Sequence, residues 1–427
     1  MSSALDFMLA ARRSEMQGLQ ALSLTCALVT EVSRLVHALQ RERGYSNFCL
    51  GGEADSHRES LDALSEAAAE QEIVVRRAFE QIHPESSVGA DKARLFTRIA
   101  YVLHSLDGLP GLRERVRAES LSAAEATRLF SRQIAGLLAV VFDAADTAVD
   151  PRVTRALVAL FNFMQGKELA GQERATGVAG FMAGYFDPAV QGKLRFLQDG
   201  QARCFESFQQ AADAPSLALW QTLCADELLE QIARLRQMAE RTSTEQRVQG
   251  ALGDVWFELT TQRIDAMKQI EDQLAVHLQQ LCAEKIAQAQ ADLDNQRRLI
   301  RQLDKLDHGS ADPAVKLYNV QATDFQSLPS EAPGGQVNGS LLDLLHEQTA
   351  RLQQLQDELE DARQTLNERK VIERAKGLLM KQHGLNEQDA YRALQNAAME
   401  RNQRLAEVAR TVLSYNDMLK GTGSTAG

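Results

Sequence analysis

The sequence predicts an all-α protein. Leu, Ala, Gln, Glu and Arg dominate its 427 residues, aromatics make up only 5%, and β-branched runs are short. Apolar residues recur at helical spacing through most of the chain. With 44% hydrophobic and 25% charged residues it can build two or three domains around at least one sizeable core, and wholesale disorder is excluded. A net charge of −11 speaks against a surface that binds nucleic acid throughout, although an average can conceal a local basic tract.

Helical spacing runs almost unbroken from about residue 4 to 305. The first helix extends from near Ala4 to Phe48, with Leu22, Cys26, Val29, Leu35 and Leu39 on one side, until Gly51-Gly52 ends the pattern. Others follow near 56–83, 89–105, 119–148, 151–181, 188–211 and 215–241. The last, Glu245 to about Leu306, meets no breaker after Gly253. At 1.5 Å per residue it spans about 75 Å and is expected to leave the bundle as a stalk. Most of these apolar stripes read as packing between helices.

Between 306 and 340 the pattern fails: His308-Gly309-Ser310, Asp312-Pro313, Leu328-Pro329-Ser330, Pro333-Gly334-Gly335 and Asn338-Gly339-Ser340 mark a linker, with one short docked piece around Val315 to Val320. Helical periodicity resumes from Leu341 to Leu419, and Gly421 to Gly427 reads as a disordered tail. The best apolar run, Ile134 to Phe142, is about nine residues against the roughly 20 that a membrane span needs, so no segment is expected to cross a bilayer. Met1-Ser2-Ser3-Ala4-Leu5-Asp6 lacks the order of a secretory signal. Cys26, Cys49, Cys204, Cys224 and Cys282 form no Cys-x-x-Cys pair and read as reduced, mostly buried thiols of a cytoplasmic protein.

The region after the linker carries the sharpest signal. Leu345, Leu352, Leu359 and Leu366 repeat every seventh residue, with Leu355 and Ala362 on the companion seam. This predicts a coiled coil over 341–366 that either dimerises or packs on another helix of the same chain. Residues 341–362 carry a net −5, whereas 363–420 hold eleven bases against seven acids, a net +4. Arg363, Lys370, Arg374 and Lys381 fall on one helical face, which is either a solvated face or a site for an anionic partner. His383-Gly384 stops this helix, Asn386 caps the next with Asp389 three residues on, and Arg401 to Arg404 separates it from a third bearing Leu405, Val408, Val412 and Leu419. That is a small three-helix bundle, marginal alone.

The string Leu366 to Met380, then Ala390-Tyr391-Arg392-Ala393-Leu394 and Ala397 to Ala409, resembles the ANTAR domain, the RNA-binding module of bacterial antiterminators. The resemblance over 363–420 implies binding to a leader-RNA stem-loop pair that keeps a terminator hairpin from forming. It places RNA contacts on Lys370, Arg374, Lys376, Lys381, Arg401 and Arg404, and close packing on Gly377 and Ala398, with Glu400 an acid inside the run. The chemistry fits, because loop phosphates need Lys and Arg while splayed bases stack on Arg planes or aromatics. Tyr415 is either such a stacker or a core residue.

Two strings recur in the first region: Gln40-Arg41-Glu42-Arg43-Gly44-Tyr45-Ser46 and Gly171-Gln172-Glu173-Arg174-Ala175-Thr176-Gly177. An arginine among small residues leaves room for a ligand at its guanidinium, whose fork suits a planar oxyanion. The alternative is an ion pair with Glu42, Glu168 or Glu173. With Trp256-Phe257-Glu258, Thr261 and Arg263-Ile264-Asp265, these strings resemble the NIT domain, a nitrate- and nitrite-sensing module, over about residues 30 to 290. The resemblance implies a double helical-bundle sensor over 1–305 with nitrate or nitrite bound between helices by Arg43, Arg174 and a third arginine, Arg234 or Arg236, with Arg234 favoured.

The pairing is similar to that of nitrate-responsive transcription antiterminators. It implies a cytoplasmic homodimer that needs no cofactor, binds leader mRNA, acts indirectly on RNA polymerase and touches no membrane. The expected switch holds the basic face of 363–404 covered, with the acidic surface of 1–340 (net −10) a candidate cover, until an anion repacks the helices. An enzyme is not expected: no Gly-x-x-x-x-Gly-Lys-Ser/Thr loop, Gly-x-Ser-x-Gly elbow or His-Glu-x-x-His occurs, and eight dispersed histidines suggest no metal site. The competing readings are a helical signalling adaptor and a sensor of another small oxyanion.

Overall fold

The computed structural model describes residues 2–50, 54–82, 90–243, 245–306 and 336–422. Within them lie thirteen α-helices and no strand. The N-terminal ten are α1 (Ser2–Leu50), α2 (Ala54–Glu80), α3 (Ala90–Leu106), α4 (Leu109–Arg117), α5 (Ala123–Thr147), α6 (Pro151–Ala183), α7 (Pro188–Ala211), α8 (Ala214–Cys224), α9 (Glu227–Arg241) and α10 (Leu252–Leu306). The C-terminal three are α11 (Gln336–His383), α12 (Glu387–Arg401) and α13 (Leu405–Thr422).

Side-chain caps set many of these boundaries. Ser122 and Glu125 form a reciprocal capping box at the start of α5. Asp150 takes the backbone N–H groups of Arg152 and Val153 ahead of Pro151, and α6 ends at Gly184 in the left-handed region (φ 80°). Asp226 accepts from the N–H of Leu228, so the stretch expected as one helix over 215–241 divides into α8 and α9. The unexpected α4 starts with Pro110 in its first turn, where a missing N–H costs nothing. Asn386 caps α12 as expected, and Gly384 is left-handed (φ 65°).

Three further expectations are corrected. The helix α11 already runs from Gln336, so Asn338-Gly339-Ser340 lies inside it rather than closing the linker, and α13 continues to Thr422. Val315 to Val320 and the last five residues lie outside the described residues. The long α10 is no free stalk: one face of it, from Trp256 through Ile264, Met267, Leu274 and Leu281 to Leu293, is buried. Finally, Leu9–Leu50 of α1 is long and apolar enough to cross a membrane by length and composition. Its Leu28, Val29, Val32, Leu35, Val36 and Leu39 are instead fully buried in the bundle.

Two cores make the N-terminal region a double bundle. The larger gathers side chains from α1 through α8 and the later part of α10. The smaller joins Phe181 and Phe186, at the end of α6, to Leu194, Ile232, Leu235, Ala239 and Trp256. Both α6 and α10 run through the two cores and tie them together. A third, small core holds α11–α13 around Ala375, Leu394, Ala398, Val408 and Ala409. Four cysteines are buried and Cys224 is exposed.

The seam between α1, α6 and α10 is charged. Lys167 Nζ lies 2.6 Å from Glu271, both side chains 0% exposed, and Ser33 Oγ donates to Glu271 at 2.7 Å. Beside them His37 is held neutral, its pKa driven down to about 2 by burial and then by the Lys167 charge. Lys167→Met should leave the buried Glu271 carboxylate with only Ser33 and the more distant Lys268 (3.6 Å) and cost about 3 kcal/mol in urea unfolding, whereas Lys167→Met with Glu271→Leu should cost much less.

Candidate functional site

The two recurring strings meet where α1 crosses α6. A Cβ on Gly44 would lie 2.7 Å from Nη2 of Arg174, and a Cβ on Gly171 would lie 2.6 Å from Nη2 of Arg43. Each helix therefore omits a side chain to seat the other's arginine. The preceding glutamates are taken elsewhere. Arg113 grips Glu42 through two hydrogen bonds (2.7 and 3.1 Å), with Ser65 donating a third. Arg236 grips Glu173 the same way (both 2.7 Å), supported by Gln198 and Gln201.

The two arginines differ in their partners. Arg43 forms a bidentate pair with Glu168 (2.5 and 3.1 Å) and donates to Ser131, so the ion-pair alternative describes it. Arg174 forms no ion pair among the described residues. Its Nη1 donates to Thr261 Oγ1 at 2.9 Å and its guanidinium lies 5.0 Å from the centre of the Phe257 ring. Trp256 Nε1 donates to the Arg174 carbonyl at 3.0 Å, fixing α10 to α6 beside the site. Burial, and next the charge of Arg43, pull the Arg174 pKa down to about 10, against the opposing pull of Asp265 and Glu168.

Arg174 faces a cavity of about 80 Å³ lined also by Gln40, Arg41, Tyr45, Thr261, Ile264 and Asp265. The quoted strings contain every lining residue, but Gln40, Arg41, Tyr45, Thr261, Ile264 and Asp265 were not singled out as a site. The crossing of three helices brings them together, and local spacing does not encode that. Arg236 is beside the site only through Glu173. The expectation favouring Arg234 is corrected: its side chain is 69% exposed, pairs with Glu230 on its own helix and does not line the cavity. Arg263, also unexpected, is buried 3.7 Å from Glu173, its pKa lowered to about 10 by burial and then Arg236.

The basic module is docked on the N-terminal region. Leu366 is 1% exposed and belongs to the large core, so this end of the heptad seam packs within the chain. Arg363 donates to the Ala148 carbonyl at 2.8 Å and Lys370 pairs with Asp146. Arg369 donates to Asn162 and covers the Phe161 ring. Tyr391 of α12 packs against Phe196, with Arg203 4.5 Å from its ring centre.

Of the six residues expected at RNA, Arg374, Lys381, Arg401 and Arg404 are exposed and Lys370 is engaged by Asp146. Lys376 is buried between Glu373 (2.9 Å) and Glu387 (2.8 Å); burial lowers its pKa, but the two carboxylates outweigh that and raise it. Ala398 is buried as expected, whereas Gly377 has open space where a Cβ would stand and is no packing point. Tyr415 is 65% exposed rather than in the core.

Comparison with known proteins accords with this arrangement. Residues 34–279 match the NIT family, described as nitrate and nitrite sensing, and residues 360–413 match the ANTAR domain. The chain is 34% identical over 420 residues to the nitrate regulatory protein of Klebsiella oxytoca, covering 98% of this chain and 96% of that one. A shorter match, 44% identical over 59 residues, is to the transcriptional regulatory protein PdtaR of Mycobacterium tuberculosis, covering 14% of this chain and 29% of that one. The solved structure of the NasR transcription antiterminator aligns with a TM-score of 0.59 at 33% identity, over 97% of this chain and 100% of that one. The chain belongs to the NIT family of nitrate and nitrite sensors, as a nitrate-responsive antitermination regulator with an ANTAR output.

Proposed function

We propose that nitrate or nitrite enters the cavity between α1, α6 and α10, and that its capture frees the ANTAR module to grip a leader-RNA stem-loop pair and block a terminator hairpin. The observation that carries this is Arg174. A guanidinium buried without a carboxylate partner is costly, and a small anion supplies the missing charge. Thr261 accepts from Arg174 and so has its hydroxyl proton left to donate. Arg236 contributes by keeping Glu173 off Arg174, while Glu168 keeps to Arg43 behind it.

The docked state fits the anion-free end of the switch, since Lys370, Arg369 and Tyr391 are occupied by the sensor. The cover is local: one expected RNA contact is tied to the sensor, while four stay exposed on a module held in a fixed orientation. Leu352 on the heptad seam is 61% exposed, which favours a homodimer through that part of α11. In this reading the chain is a regulator rather than an enzyme. It works in the cytoplasm on nascent RNA and influences RNA polymerase only through that RNA.

In calorimetric titration of the full chain with sodium nitrate, Arg174→Ala should abolish binding and Arg234→Ala should leave it unchanged; nitrate binding by Arg174→Ala equal to the parent's would refute the site. For the switch, Asp146→Lys should repel Lys370. Its leader-RNA affinity without nitrate should rise about tenfold, the effect of a 1.4 kcal/mol loss of docking, in a filter-binding assay. An affinity still fully dependent on nitrate would count against docking as the restraint.

A further inference from the structure

The cavity wall carries an acid as well as two bases. Arg174 is buried at its floor, whereas Arg41 and Asp265 are exposed at its rim. Gln40, Tyr45, Thr261 and Ile264 complete the lining. Just behind, Arg43 is matched by Glu168, so the lining residues hold a formal charge of +1 at neutral pH. The Asp265 carboxylate is close enough to act on Arg174.

Taking the cavity as the anion site proposed above, we infer that Asp265 is a specificity-determining residue, which limits the guest to a singly charged oxyanion and turns away doubly charged ones such as sulfate. Attraction to the arginines grows in proportion to the charge of the guest, but the cost of stripping its water grows with the square of that charge. A second negative charge therefore needs an added cation or several added donors. This site supplies the opposite, a carboxylate at the rim. The Gln40 amide nitrogen is committed to Glu168 at 2.9 Å, and Ile264 forms an apolar wall.

The test is calorimetric titration of the full-length protein with sodium nitrate and with sodium sulfate at matched ionic strength. The parent protein should bind nitrate at least about tenfold more tightly than sulfate. Asp265→Asn should shrink that ratio about tenfold by gaining sulfate, while Asp265→Glu, which keeps the charge, should preserve it. An unchanged ratio in Asp265→Asn, or a parent that binds sulfate as well as nitrate, overturns the role of Asp265 and leaves the anion site standing. A parent that binds neither anion overturns the site itself, and this inference with it.

Discussion

A guanidinium held inside a helical bundle without a carboxylate of its own is the constraint around which this molecule is arranged. Arg174 can sit there because Gly44 vacates space on α1, Arg236 diverts the adjacent Glu173, and Trp256 pins the backbone from α10. Each of these spends stability that an apolar core would keep: a bare glycine in a helix, a cation away from water, an indole wedged against Gly177. Three helices meet at this point, and two of them, α6 and α10, run through both bundles of the sensor. The charge at the crossing therefore sits on two helices that span both cores rather than on a loop.

The output lies against the same helices. Leu366 enters the large core, and Lys370 meets Asp146 at the end of α5, an acid shared with Arg94. The basic module is therefore restrained by the insertion of Leu366, the packing of Tyr391 on Phe196 and a few polar contacts, which in the switch proposed above are the restraint that anion capture would bias. The core of α11–α13 is built largely on alanines, with little area to lose, so its orientation is set by what it leans on.

The all-α class, the caps at Asn386 and Gly384 and the Glu-Arg strings were legible because each is a local pattern. The division at Asp226 was missed because one capping aspartate is a weak signal inside a continuous apolar stripe. The choice between Arg234 and Arg236 could not be made from spacing alone: both flank the same stripe, and only the position of α9 beside α6 puts Arg236 on Glu173 and Arg234 in water. Likewise the sequence alone lets the long α10 leave the bundle, because an apolar face does not say which helices will cover it. Lys376 looked like one more base in a row, and the two acids that bury it come from α11 itself and from α12 across the turn.

The two Glu-Arg strings are near mirror images in their packing, each arginine seated on the other helix's glycine, yet Glu168 closes one half and leaves the other open. In the reading proposed above, this asymmetry leaves one open half per polypeptide, the other being occupied by Glu168.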